Sequence, residues 1–272
     1  AIREDLVKRD PANTEWQRDL SVSNNKIGDV LVRQGDEPGA LAAYQAGLTI
    51  TEGLAKRDPA NTQWQRDLSV SNNKIGDVLV AQYDWKGALA AYQAGLTISE
   101  GLAKRDPANT QWQRDLSVSH DRIGDVLVEQ GDRPGALAAY QAGLSIAEGL
   151  AKRDPANTEW QRDLSVSNNR IGDVLVAQGD GPGALAAYQA GLTIAEGLAK
   201  RDPANTQWQV DVSVSCSKLG IMDPQLPVST RREYLKRGHE MLVALKQAGR
   251  LLSNQDYTGW FEEQIRKLDG AD

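Results

Sequence analysis

The side chains best suited to chemistry are few and far apart. The chain has two histidines, His120 and His239, and one cysteine, Cys216. No two histidines have metal-ligand spacing, and no HExxH, EF-hand, P-loop or GxGxxG string occurs. A single cysteine makes neither an internal disulfide nor a thiolate zinc site. With no histidine near it in sequence, Cys216 reads as a buried thiol rather than a nucleophile. Carboxylates abound on helix surfaces, but nothing singles out one pair. The expectation is a chain without catalytic residues, cofactor or metal. What the sequence does repeat, at fixed intervals, is hydrogen-bonding and charge-pairing chemistry: asparagine, aspartate, arginine and lysine.

The elements that hold those residues follow from composition and repetition. The chain is 272 residues long, with 31 Lys plus Arg against 37 Asp plus Glu and a formal net charge of -6. Hydrophobic residues are 40% and charged residues 25%, ordinary for a globular chain and unlike a collagenous or highly charged disordered one. The acidic balance argues against nucleic acid as a partner. No run of about 18 apolar residues is present, so no membrane partner is expected. There is no signal-peptide pattern, which makes the cytoplasm the default location. The opening AIREDLVKRDP reads as the tail of an earlier repeat, so a longer parent chain is expected.

RDPANT recurs at Arg9, Arg57, Arg105, Arg153 and Arg201, 48 residues apart each time. WQRDLSVS follows at Trp16, Trp64, Trp112 and Trp160, and decays to WQVDVSVS at Trp208. GALAAYQAGL begins at Gly39, Gly87, Gly135 and Gly183. A fixed period of about 20–50 residues marks a solenoid, propeller or array. The expected divisions are a repeat tail at 1–11, repeats at 12–59, 60–107, 108–155 and 156–203, a degenerate fifth repeat at 204–250, and a capping helix at 251–272.

Each unit reads as two helices. In the second unit, Asn61 or Thr62 can cap the first helix. Trp64, Leu68, Ile75 and Leu79 share one face of it. Residues 83–86 form a turn, which reads GDEP, GDRP or GDGP in the other copies. Ala88, Leu89, Tyr92, Gly95, Leu96, Ile98 and Leu102 give the second helix a wide apolar arc, and Pro107 ends it. Gly76 and Gly95 mark close helix approach, since a helical glycine otherwise costs up to ~1 kcal/mol relative to alanine. The five repeated tryptophans are in phase with the core face. No alternating strand pattern of a propeller is present.

Ile75-Gly76, Leu79, Ala88, Tyr92 and Gly95 have the spacing of the tetratricopeptide repeat (TPR), and the chain resembles that family. The 48-residue period makes it similar to the long-helix variants of kinesin light chains and of bacterial signalling proteins. The family's tryptophan is replaced here by Asn72, and its proline has moved to Pro59. The resemblance implies an all-α, right-handed superhelical solenoid of antiparallel helix hairpins, whose first helices line a concave groove.

On that reading the groove carries the face opposite the Trp–Leu–Ile–Leu stripe. The first unit contributes Arg18, Val22, Asn25 and Asp29. The second contributes Arg66, Val70, Asn73 and Asp77; the third Arg114, Val118, Asp121 and Asp125; the fourth Arg162, Val166, Asn169 and Asp173. Val32, Val80, Val128 and Val176 extend it, and Lys26, Lys74, Arg122 and Arg170 flank it. Asparagine both donates and accepts, so Asn25, Asn73 and Asn169 could clamp a peptide backbone. Lys74 and Asp77 have the spacing of an i,i+3 ion pair. Position 33 varies as Arg33, Ala81, Glu129 and Ala177, and Tyr83 and Trp85 place two aromatics on one turn.

After Gly220 the pattern breaks at DPQLPVS. A helix capped by Ser229 or Thr230 is expected to run to about residue 248, and a last helix over 254–268 would cap the array. The expected function is a non-catalytic scaffold holding a protein or peptide segment. The alternatives are a sensor segment of a larger bacterial signalling protein, and an array that self-associates end to end through its uncapped first repeat.

Overall fold

A computed structural model describes residues 2–270. Among these are twelve α-helices and no strand. They are α1 (Ile2–Arg9), α2 (Thr14–Gln34), α3 (Glu37–Arg57), α4 (Thr62–Ala81), α5 (Trp85–Arg105), α6 (Thr110–Glu129), α7 (Arg133–Arg153), α8 (Thr158–Gln178), α9 (Gly181–Arg201), α10 (Thr206–Gly220), α11 (Val228–Gln247) and α12 (Thr258–Asp269). The chain divides into two compact units, with the boundary between Ile146 and Ala147 inside α7. Within each, consecutive helices pack as antiparallel hairpins stacked side by side, an all-α solenoid.

RDPANT is the joint between one hairpin and the next. Asn61 takes the extended backbone of a helix cap, and its Oδ1 accepts the Trp64 amide at 3.1 Å. Asn13, Asn109, Asn157 and Asn205 do the same for Trp16, Trp112, Trp160 and Trp208. Of the two expected caps in the second unit, Asn61 is the one used, and Thr62 is the first helical residue. Asp58 accepts the Ala60 amide through its side chain at 2.9 Å. Arg105 then donates to the Ala60 carbonyl at 2.7 Å from 45 residues further on, tying one joint to the next.

The turns inside the hairpins begin at a second cap. Asp36, Asp84, Asp132 and Asp180 each accept the amide three residues on at 2.9 Å. The residue before the cap is left-handed: Gly35 at φ 76°, Gly131 at 79° and Gly179 at 82°. In the second unit Tyr83 stands there, at φ 60°, with its ring edge-on to Trp85 at 5.7 Å. Trp85 and Lys86, expected in the turn, already belong to α5.

Packing between the two helices of a hairpin depends on glycine facing tyrosine. A Cβ at Gly76 would lie 2.3 Å from Cε1 of Tyr92, and Gly28 and Gly124 stand in the same relation to Tyr44 and Tyr140. The tyrosine then reaches the next hairpin. Ala40 and Tyr44 of α3 cluster with Ile75 and Val78 of α4. Ala88 and Tyr92 of α5 cluster likewise with Ile123 and Val126 of α6.

The second unit repeats this up to α9 and then departs from it. Gly172 faces Tyr188, and Tyr188 packs with Val212, Cys216 and Leu219 of α10. Helix α11 starts at Val228 behind Pro227 with no side-chain cap, so neither Ser229 nor Thr230 serves. The expected last helix is instead two pieces, a 3-10 turn at Ser253–Gln255 and α12 from Thr258. Asp256 separates them because its Oδ1 accepts both the amide and the hydroxyl of Thr258, at 3.2 and 2.6 Å. Phe261 of α12 is buried with Leu235, Leu242 and Leu245 of α11 and Val210 of α10.

Candidate peptide-binding face

In the first unit, the repeated arginines couple neighbouring first helices. Nε of Arg18 lies 2.6 Å from Oδ2 of Asp67, and its terminal nitrogen lies 3.4 Å from Oδ1. Arg66 meets Asp115 with the same two-pronged geometry, at 2.6 and 3.3 Å. Gln63 and Gln111 donate to the same carboxylates at 2.9 Å. The hydrogen bond to the carboxylate raises Arg18 and Arg66 above the ordinary arginine value despite partial burial. Each arginine is thus engaged by the following repeat.

The aspartates at the other end of the face are engaged by both neighbours. Asp29 accepts the Tyr44 hydroxyl at 2.7 Å and the Lys74 ammonium at 2.5 Å. Burial pushes its carboxyl up, but those two hydrogen bonds outweigh it and hold it below its ordinary value. Asp77 accepts from Tyr92 at 2.7 Å and pairs with Arg122 at 3.0 Å. Lys74 and Arg122 lie over the Tyr44 and Tyr92 rings, at 5.5 and 5.9 Å from the centroids. This corrects the expected pair within one helix. Lys74 reaches back one repeat to Asp29, and Asp77 is left to the following repeat's Arg122.

The asparagines face inward. Asn73 and Asp121 are each 8% exposed. Oδ1 of Asn73 lies against Gly95 of the paired helix, where an added Cβ would come within 2.8 Å of it. Asn25 occupies the same place against Gly47, and its amide donates to Ser71 Oγ in the next repeat at 3.3 Å. Part of the hydrogen-bonding capacity expected for a ligand backbone is therefore directed into the scaffold.

The valines are the groups left over. Val32 and Val128 are 45% and 42% exposed, while Val22, Val70 and Val118 are half-buried. Val70, Asn73, Asp77, Arg114 and Val118 come together, with Ser69, Lys74, Asp115 and Arg122, around a cleft of about 310 Å³. A second cleft of about 420 Å³ lies between the first two hairpins and is lined by Asp29, Val32, Arg33, Glu37, Tyr44, Lys74, Asp77, Val78 and Ala81. Arg33 and Ala81, the variable positions, both lie on it. Asp125 accepts from Tyr140 at 2.7 Å, as its counterparts do.

In the second unit Arg162 pairs with Asp211 at 2.6 Å. Asp173 takes Tyr188 and Lys218, each at 2.7 Å. Asn169 donates to Ser215 Oγ at 3.0 Å. Val166 is half-buried, and Val176 is 49% exposed. At α10 the pattern turns apolar: Val210 stands at the Arg162 position, and Ile221, just past the helix end, at the Asp173 position. A pocket of about 340 Å³ opens there, lined by Val210, Ser213, Val214, Ser217, Leu242, Tyr257, Trp260 and Phe261. The sequence signal for it was the decay of WQRDLSVS to WQVDVSVS. Its other wall, α12, lies outside the repeat and could not be aligned with it.

Burial shifts two of the titratable groups. Cys216 is fully buried, and burial pushes its thiol up to about 11, so little thiolate exists near neutrality. Burial lowers His120, with Glu100 opposing. Among the described residues no three His, Cys, Asp or Glu side chains are grouped to hold a metal ion. No helix described is long and apolar enough to cross a membrane.

The geometry can be set beside known proteins. No protein-family model and no curated relative matches the sequence. Solved structures do match. Repeats of a Podosopora anserina protein of kinesin-light-chain type, nearly identical to one another and TPR-like, superpose with a TM-score of 0.60 at 11% identity, covering 85% of this chain and 98% of that one. The fold is TPR-like. The apo form of RapI matches this TPR-like chain with a TM-score of 0.57 at 14% identity, over 98% of this chain and 89% of that one. BtubC from P. vanneervenii matches with a TM-score of 0.55 at 13% identity, over 85% and 90%. At these identities the likeness is one of fold.

Proposed function

We propose that this TPR-like chain is a non-catalytic scaffold that holds a peptide or protein segment along its first-helix face. The observation that carries the reading is the division of labour on that face. Its arginines, aspartates and lysines neutralise one another across repeats, while Val32, Val128 and Val176 stay open to solvent at a repeated position where Val80 is half-buried. A ligand gains little by breaking bidentate pairs, since each freed charge would need a new partner. It gains by covering valines at about 25 cal/mol per Å² of apolar surface. The fitting ligand is a segment with regularly spaced apolar side chains and few net charges.

The test is selection of peptides from a random displayed library on the full chain. Each selected peptide is then titrated against Val32→Glu and Val128→Glu, with helicity checked by circular dichroism. The reading expects enriched peptides with apolar side chains whose binding falls at least ~10-fold in both variants. No enrichment, or equal binding to folded variants, removes it.

A further inference from the structure

The cleft beside the first helices carries different chemistry in the two units. In the first unit it has Ser69, Val70 and Asn73 of α4 on one side and the charged Arg114, Asp115 and Arg122 of α6 on the other. In the second unit Ser213, Val214 and Ser217 of α10 stand at the positions of Ser69, Val70 and Asn73, three repeats further on. The opposite side there comes from outside the repeat. It is built by Leu242 of α11, by Tyr257 just ahead of α12, and by Trp260 and Phe261 of α12.

The exchange turns a charge-lined cleft into a pocket of about 340 Å³ whose lining includes no Asp, Glu, Lys, Arg or His. Its floor is closed, since Val210, Ser213, Leu242 and Phe261 are buried. The Ser213 hydroxyl donates to the Gly238 carbonyl at 3.0 Å, and the Ser217 hydroxyl to the Val214 carbonyl at 2.7 Å. Its rim is open. Tyr257 and Trp260 are 51% and 36% exposed, and among the described residues neither the Tyr257 hydroxyl nor Trp260 Nε1 has a hydrogen-bond partner. Trp260 stands edge-on to Phe261, with ring centroids 5.1 Å apart and planes at 85°. Two rings at a right angle offer an entering flat ring one face and one edge, the two contacts aromatic pairs prefer.

We infer that this pocket is a binding site for a small uncharged aromatic molecule bearing a hydroxyl or carbonyl oxygen. Size, charge and the spare donors each narrow the class. The volume lies in the range of small-molecule sites, about 300–1,000 Å³. An ionised ligand would leave water for a pocket with no opposite charge to meet it. The apolar body covers Val210, Leu242 and Phe261, and its oxygen accepts from Tyr257 or Trp260 at the rim. The site does not require the valine face to hold a segment.

The test titrates the full chain with 2-naphthol and follows the indole N–H signals of its seven tryptophans by nuclear magnetic resonance. The expected result is saturable binding of one molecule per chain, with the Trp260 signal moving most. Trp260→Ser identifies that signal by its loss and, being a change at the exposed rim, should weaken binding without unfolding the chain. Ser217→Trp fills the pocket from a half-buried position and should weaken binding at least ~10-fold, with helicity retained by circular dichroism. The anion 2-naphthoate, the same ring with a carboxylate, should bind at least ~10-fold more weakly than 2-naphthol. Absence of saturation overturns the inference. So does binding that survives both substitutions, or equal binding of the anion. If 2-naphthol fails to bind while peptides selected on the chain lose affinity in Ser217→Trp, the pocket receives a side chain of a held segment, which equally overturns it.

Discussion

Lys74 Nζ and Asp29 Oδ1 meet at 2.5 Å across a repeat boundary, 45 residues apart in sequence. Asp77, one helical turn from Lys74, pairs instead with Arg122 of the following repeat. Charges that could have closed locally are spent on holding neighbours in register. A double-mutant cycle of Lys74→Ala and Asp29→Asn should give a coupling of about 0.5–1 kcal/mol, because both side chains remain partly hydrated. The same cycle on Lys74 and Asp77 should give none. Urea midpoints of the four proteins in each cycle decide it, and a larger coupling for the local pair would contradict the arrangement.

Two glycines in the same repeat should respond to alanine with opposite signs. At Gly76 the new Cβ meets the Tyr92 ring at 2.3 Å, and that ring is pinned by its hydrogen bond to Asp77. Gly76→Ala should cost about 1–3 kcal/mol through overpacking. At Gly101 nothing lies within 4 Å, and Gly101→Ala should stabilise by up to ~1 kcal/mol through helix propensity. Thermal unfolding of the two variants is the check, and a gain at Gly76 would mean that the hairpin is looser than described.

Tyr83 holds a left-handed backbone that glycine holds in the sister turns, and the residue is 78% exposed. Such a conformation costs a non-glycine residue about 1–2 kcal/mol. Its edge-on contact with Trp85 returns about 0.5–1.5 kcal/mol. Tyr83→Gly should therefore raise stability by a few tenths to about 1 kcal/mol. Calorimetry of the variant tests this; a lower melting temperature would show that the ring contact outweighs the strain.

His120 stands where Asn72 and Asn168 donate to the Leu68 and Leu164 carbonyls at 3.0 and 2.9 Å. Burial lowers its folded-state value, so between that value and the ordinary one, about 6.5, the unfolded chain binds more protons. Stability should fall as pH drops through that window and level off below it. His120→Asn should remove this component. The difference in urea midpoint between about pH 7.5 and about pH 5.5 should then be smaller in the variant than in the parent. An unchanged difference would place the histidine in water.

The sequence by itself determined the period, the helix hairpins of the repeats and most of their ends, though not those of α11 and α12. These depend on local rules: Asn before a helix, Gly-Asp in a turn, Pro after a stop, and apolar residues every three or four positions. Each rule acts within one turn of chain, so it can be read from a string. It also showed that Gly76 had to face something close, though not that the neighbour was Tyr92.

Only the tertiary structure decided which partners the polar residues chose. Asn73 lies on the helix face that turn-counting assigns to the groove, yet it is buried against Gly95. The helices approach closely at that glycine, where an added Cβ would lie 3.3 Å from the Ser69 carbonyl oxygen, and a small polar side chain fills the gap. Arg66 and Asp115 pair although 49 residues separate them, because the 48-residue repeat sets the first helices side by side. The pocket lined by Trp260 needs α12 to pack on α11 beside α10, and no periodicity in the chain foretells that return. Local spacing fixes where a side chain leaves its helix. What it meets depends on the distance and register of the next helix, which come from packing the whole interface at once.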